Sequence, residues 1–202
     1  FRRDDKEEIK AHVTIVNWPI VDIRHAFLLD DWPMDGTVGQ TDLDLSGKYR
    51  EMFGSGTLRI DRGVAWDEPF DVATGVVELE GTGMRINRIE MKKSTGIARG
   101  AARVGWDGTY AFNADGEGIP VESVDLFKIE GAPPLTGQLK FTVSGASEID
   151  VPRYTFDASI ADLFIGNEGI GSVTGRATVV GDVMTGERLV AASGRLQVFG
   201  SG

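Results

Sequence analysis

Tyr110-Ala111-Phe112-Asn113-Ala114-Asp115 and Tyr154-Thr155-Phe156-Asp157-Ala158-Ser159-Ile160 alternate larger apolar or small residues with more polar ones, without a break. A period of two sends successive side chains to opposite faces of a β-strand, so each stretch offers one apolar face and one wet face. The pattern extends outward along the chain. Leu58 and Ile60 alternate with Arg59 and Asp61, Val77 and Leu79 with Glu78 and Glu80, and Leu139, Phe141 and Val143 with Lys140 and Thr142. Met84 and Ile86 flank Arg85, Ile89 and Met91 flank Glu90, and Ile9, Ala11, Val13 and Ile15 alternate with Lys10, His12 and Thr14. Turn signals separate these runs at Arg62-Gly63, Glu80-Gly81-Thr82-Gly83, Asp107-Gly108, Asp115-Gly116 and Ser144-Gly145. Strands spaced by about 8–12 residues between such signals predict an all-β protein.

Two stretches break the alternation. Trp18 to Leu29 has helical spacing, with Pro19 placed where a first helical turn tolerates it. Ile119 to Phe127 reads the same way, and each is expected to be a short helix or a single turn. They also belong to an internal repeat. A shift of 101 residues carries Pro19 onto Pro120, Ile20 onto Val121, Ile23 onto Val124, Pro33 onto Pro134, Met34 onto Leu135 and Gly36 onto Gly137. After a three-residue length difference, Leu45-Ser46-Gly47 meets Val143-Ser144-Gly145. The 202 residues therefore read as one repeat-built unit, with repeat A over about 9–118 and repeat B over about 119–202. Repeats of one supersecondary unit imply a body in which each unit buries its edge on the next.

Composition narrows the function. The net charge of -10 argues against nucleic acid, which demands clustered Lys and Arg, and against electrostatic landing on anionic lipid. No cysteine is present, which removes disulfides, thiolate metal sites and thiol nucleophiles. There is no signal peptide and no apolar run of membrane-spanning length. The opening Phe1-Arg2-Arg3-Asp4-Asp5 and the closing Val198-Phe199-Gly200-Ser201-Gly202 read as cuts through a longer protein.

Catalytic chemistry finds little footing. His12 and His25 fall in different elements and suggest no metal set, and His12 lies on the polar side of its strand. Gly54-Ser55-Gly56 lacks the spacing of a nucleophile elbow. Gly169-Ile170-Gly171-Ser172-Val173-Thr174-Gly175 reads as strand rather than as a dinucleotide loop opening a helix. Asn113 to Gly118 lacks a full calcium ligand series and reads as a hairpin turn. Acidic pairs such as Asp30-Asp31 are expected by chance among 31 acidic residues. Trp18, Trp32, Trp66 and Trp106 could stack sugars, but two of them flank the first helical stretch and look architectural. No cofactor and no metal are expected, and the chain reads as non-enzymatic.

Trp32-Pro33-Met34-Asp35-Gly36-Thr37 and its partner Pro134-Leu135-Thr136-Gly137-Gln138 set a recurring grammar. With them go Gly54-Ser55-Gly56-Thr57-Leu58-Arg59-Ile60-Asp61-Arg62-Gly63 and the turn Glu68-Pro69-Phe70-Asp71. From about Ile9 onward this resembles the AsmA-like superfamily, and within it the TamB-type proteins of the Gram-negative envelope. The resemblance implies an elongated antiparallel sheet curved into an open, taco-like trough with an apolar inner face. It also implies a periplasmic location, as part of an inner-membrane-anchored protein that bridges phospholipid between the inner and outer membranes. Its partners would be phospholipid acyl chains, neighbouring repeats of the same chain and an outer-membrane barrel protein.

The groove lining would be Leu58, Ile60, Val77, Leu79, Met84, Ile86, Ile89, Met91, Tyr110, Phe112, Leu139, Phe141, Val143, Tyr154 and Phe156. The same residues could instead fill the closed core of a β-sandwich binding module, or the chain could be a scaffold for outer-membrane protein biogenesis. An open apolar trough, an exposed strand edge over a dry interior, and a sealed core with a polar cleft are the three outcomes that separate these readings.

Overall fold

The computed structural model describes residues 8–27, 30, 34–48, 51–148, 151–181, 183–193, 196–200 and 202. Phe1 to Glu7, Leu28, Leu29, Asp31, Trp32, Pro33 and Ser201 fall outside them, and with them those parts of the helix, repeat and terminal readings. The chain is 78% strand and 7% helical, which settles the class as all-β, and its single antiparallel sheet of 14 strands is open and curved.

The strands are β1 (Ile9–Ile15), β2 (Trp18–Pro19), β3 (Met34–Val38), β4 (Thr41–Lys48), β5 (Glu51–Ala65), β6 (Glu68–Gly81) and β7 (Gly83–Lys93). They continue as β8 (Gly96–Gly105), β9 (Tyr110–Pro120), β10 (Leu135–Glu148), β11 (Val151–Ile165), β12 (Glu168–Val180), β13 (Val183–Ser193) and β14 (Leu196–Gly200). From β4 onward each strand on the main path pairs with its neighbour in sequence, β1 pairs with β4, and β2 and β3 form a short side branch on β5. Such a meander is what short hairpin turns between alternating strands produce.

The two helical stretches do form, shorter than the spacing suggests. Helix α1 covers Ile20–Phe27, and Trp18 and Pro19 are strand residues paired with Val38 and Thr37. Pro19 therefore ends a strand rather than opening the helix. The second stretch is the end of β9 followed by two 3-10 turns, Val121–Ser123 and Asp125–Phe127. Each helical segment buries its apolar side on the sheet. Ile20 packs with Val38, Ile60, Phe70 and Ala73, while Val121 and Val124 pack with Ile119 and Leu139.

Of the turn signals, those at Gly81 to Gly83 and at Asp107-Gly108 mark real reversals. Arg62-Gly63, Asp115-Gly116 and Ser144-Gly145 do not; they lie inside β5, β9 and β10. The first hairpin reverses instead at Trp66-Asp67, both with positive φ. The interior glycines make room for rings on neighbouring strands. A Cβ on Gly116 would stand 2.3 Å from the Phe141 ring, and one on Gly145 would meet Phe112 at 2.5 Å and Tyr154 at 2.6 Å. These are close approaches of aromatic side chains to bare backbone, the usual reason for glycine inside a strand.

Backbone features recur at the offset of the sequence repeat. Asn17 and Gly118, 101 residues apart, both have positive φ just before the paired prolines. Gly36 and Gly137 both have positive φ at a bulge, in the β3–β5 and β10–β11 pairings. The strand before each helical segment matches as well, β1–β2 with β9, so the recurring element order begins at Ile9 and again at Tyr110. From β4 onward the offset is 100 residues: Leu43 and Val143 pair with Val13 and Ala114, so Leu43, not Leu45, is the counterpart of Val143, and Arg62 falls on Asp162 and Glu68 on Glu168.

Candidate apolar trough

Cross-strand partners in an antiparallel sheet share a face, so the register traces each face across the sheet. From Val13 the pairing runs to Leu43, Gly56, Val77, Ile86 and Ala102. It continues to Phe112, Gly145, Tyr154, Val179 and Met184. This one row crosses eleven strands without a charged side chain, the Tyr154 hydroxyl being its one polar group. Ten inter-strand steps at about 4.8 Å give it a length of about 48 Å.

The rows on either side complete the face. On one side Leu79, Met84 and Tyr110 follow one another through Val104. On the other, Ala114, Val143 and Phe156 lie in line, and beyond them Ile60, Ala73, Met91 and Ala98. All fifteen residues singled out from the sequence project from this face. Three bulges keep it continuous. Ile86 and Ile89 are an odd number of residues apart, yet they pair with Ala102 and Gly100, which share a face on β8. Arg88, with φ of 50°, absorbs the extra residue. Asp162 does the same between Ile160 and Leu163, and Gly118 between Gly116 and Ile119. A bulge inserts one residue and re-aims the strand, which restores the apolar face after each interruption.

The fifteen divide by what covers them. Leu58, Ile60 and Met91 belong to the cluster beneath α1, and Leu139 and Phe141 to the cluster around the 3-10 turns. The other ten lie outside both clusters. Of these Val77 and Ile86 are buried, Phe156 is 41% exposed, and the rest are half-buried. The main packing contacts of the strands are with sheet neighbours and with the helical segments, and among the described residues no second sheet lies over the face. The helical segments thus close one margin of the face; away from them exposure runs from the buried Val77 and Ile86 to Phe156 at 41%.

The opposite face is polar and laced by ion pairs between neighbouring strands. Glu80 on β6 holds Arg85 on β7 at 2.5 Å and Arg103 on β8 at 3.3 Å. Arg176 on β12 pairs with Glu187 on β13 at 3.1 Å and Asp157 on β11 at 3.9 Å. Pairs this exposed contribute about 0–1 kcal/mol each, so they mark the wet side more than they stabilise it. The shallow depression lined by Asn113, Asp115, Thr142, Ser144, Thr155 and Asp157 lies on this face, open to solvent.

The curl of the sheet shows in one contact. Trp66, in the β5–β6 turn, places its indole 5.6 Å from the Phe112 ring on β9. The rings of Tyr110, Tyr154 and Phe156 continue the cluster at centroid spacings of 6.1–6.5 Å. Tyr110 and Tyr154 join their hydroxyls, and burial together with that bond pushes the Tyr110 phenol up to about 12. The phenol is therefore neutral throughout the physiological range. Beside Trp66, the Glu68 carboxylate accepts N–H bonds from Asp125 at 3.2 Å and Leu126 at 2.7 Å. Lys93 pairs with the same carboxylate at 3.1 Å and donates to the Pro69 carbonyl. This clasp ties the first hairpin to the helical segment of the next repeat, and its partners are 57 and 58 residues apart in sequence.

The histidines stay apart. His12 bonds Asp44 at 2.8 Å on the polar face, and that bond with the Asp44 charge raises its pKa. His25 pairs with Asp30 at 2.5 Å. Among the described residues no three His, Cys, Asp or Glu side chains are grouped to hold a metal ion, and no helix is long and apolar enough to cross a membrane. No family model, no curated protein and no solved structure matches this chain.

Proposed function

We propose that the apolar face is a holding and sliding surface for phospholipid acyl chains, within an envelope lipid-transport bridge of the AsmA-like, TamB-type kind. The observation that carries this reading is the row from Val13 to Met184, free of charged side chains across eleven strands and, among the described residues, without a second sheet above it. Each methylene withdrawn from water is worth about 0.8 kcal/mol. A surface that replaces bilayer contact along its whole length keeps that gain as a chain moves, with no specific bond to break at each step. The neutral Tyr110 phenol adds a hydroxyl without adding charge. The reading is non-catalytic and needs no cofactor; periplasmic placement comes with the sequence resemblance. A role as a scaffold in outer-membrane protein assembly uses the strand edges and is compatible with it.

The test is photo-crosslinking from a reactive residue at Phe112, with Asn113 as its neighbour on the polar face. Phospholipid adducts at position 112 and not at 113 are expected, both in cells and with vesicles and the purified chain. Equal labelling at the two positions, or none at 112, would overturn the proposal.

A further inference from the structure

We propose that Tyr110 and Tyr154 form an oxidative cross-linking site, at which a peroxide oxidant joins the two phenol rings into a dityrosine that staples β9 to β11. The fold brings their hydroxyls into a hydrogen bond, although the residues are 44 apart in sequence. They stand on strands that do not pair with each other, with β10 between them. Two inter-strand steps span about 10 Å, a gap that two tyrosine side chains close by reaching toward one another. Gly145 on β10 lies opposite Tyr154, and a Cβ there would meet the Tyr154 ring at 2.6 Å, so β10 is bare where the ring must cross it. The Phe112 ring packs against both, with centroids 6.5 Å from Tyr110 and 6.1 Å from Tyr154. Both tyrosines are half-buried, which leaves them within reach of a small oxidant. The site does not depend on whether lipid occupies the face.

The contact suits the coupling chemistry. Tyrosine radicals join through the ring carbons beside the oxygen-bearing one, and in the product the two hydroxyls lie side by side, as they do in this fold before any reaction. Each ring gives up one electron and its phenolic proton. A bond then forms between one Cε carbon of each ring, and the hydrogens on those carbons pass to the two oxygens as the rings regain aromaticity. The chain loses two electrons and two protons in all. One peroxide accepts the electrons as its O–O bond breaks: hydrogen peroxide takes the protons too and gives two waters, while persulfate gives two sulfates and leaves the protons to solvent. Burial and the hydroxyl bond keep Tyr110 neutral at physiological pH, so its proton must leave during oxidation, and the Tyr154 hydroxyl is placed to accept it. With no cysteine in the chain, a disulfide cannot supply such a staple.

The sequence holds three tyrosines, so the pair is identified by subtraction. The full chain is treated with persulfate and light-excited tris(bipyridyl)ruthenium, a small one-electron oxidant. Dityrosine fluorescence and mass spectrometry of the digested protein read the result. The expected product is a monomer lighter by two hydrogen atoms, with the peptides of Tyr110 and Tyr154 joined and a yield per chain that is unchanged on dilution. Tyr110→Phe and Tyr154→Phe, each removing a single hydroxyl, should lose the signal, and Tyr49→Phe should keep it. Circular dichroism checks that every variant is folded. No dityrosine in the folded chain at a dose that couples free N-acetyltyrosine, a yield that falls on dilution, or a signal that survives Tyr154→Phe would each overturn the proposal.

Discussion

The two repeats share an element order and differ in how completely they are covered. In the first, α1 and the β5–β6 hairpin bury Ile20, Val38, Ile60, Phe70 and Ala73, and the Glu68 clasp reaches the following helical segment. In the second, the cover is two 3-10 turns, and beyond β11 the apolar residues stand open: Met184 is 69%, Val183 66% and Leu189 53% exposed. Glu168 takes the place of Glu68, and Ser193 that of Lys93. The difference teaches that a unit of this fold is finished by the unit after it. Neighbour-completed burial is how stacked repeats gain stability.

The sharpest way to break that comparison is to load both halves with the same charge. Ile60, in the first half, is only 3% exposed in the cluster beneath α1, and Ile60→Asp places a carboxylate there without a partner. We expect a loss of about 3–5 kcal/mol, enough to unfold much of the sheet, read by urea denaturation. Leu189→Asp, at a residue 53% exposed, should cost under about 1 kcal/mol. Equal losses at the two sites would mean that both halves share one core.

A middle-sized effect separates the clasp from its counterpart. Glu68→Gln keeps the shape but weakens the bonds to Asp125 and Leu126 and removes the pair with Lys93. The expected loss is about 1–2 kcal/mol, with faster amide exchange at Asp125 and Leu126. Glu168→Gln should leave stability and exchange unchanged. A matching loss there would show that the second hairpin is already clasped.

Much of this was readable before any coordinates. Period-two alternation alone places Leu58, Phe112 and Phe156, on three distant strands, on one face, because the side-chain period of a strand is fixed by its pleat. What escaped is non-local. Gly116 and Gly145 look like turn residues because glycine marks a turn and a ring-covered strand equally well; the Phe141 and Phe112 rings that distinguish the cases lie 25 and 33 residues away. Arg88 and Asp162 give no sign of the positive φ that keeps the stripes in phase. The Glu68 clasp carries no local signature at all. The long reach of Trp66 to Phe112 is invisible for the same reason.

The smallest expected effect concerns the β1 edge and its response to pH. His12 stands directly opposite Asp44 in the β1–β4 register, and their hydrogen bond raises the histidine above its ordinary 6.5. A group whose pKa is raised on folding contributes stability that is fully present below the unfolded value and is lost as pH rises through the folded one. The β1–β4 pairing should therefore hold best below about pH 6.5 and loosen slightly toward and above neutrality. Both side chains are largely exposed, so salt should weaken the effect. Amide exchange in β1, corrected for the intrinsic pH dependence of exchange, would show protection falling as pH rises, and His12→Gln should flatten that profile. The second repeat supplies the control, because Asn113 occupies the place of His12 on β9 and cannot titrate. Protection in β9 should be indifferent to the same pH change, and a parallel fall in both strands would trace the loosening to the sheet as a whole rather than to the histidine.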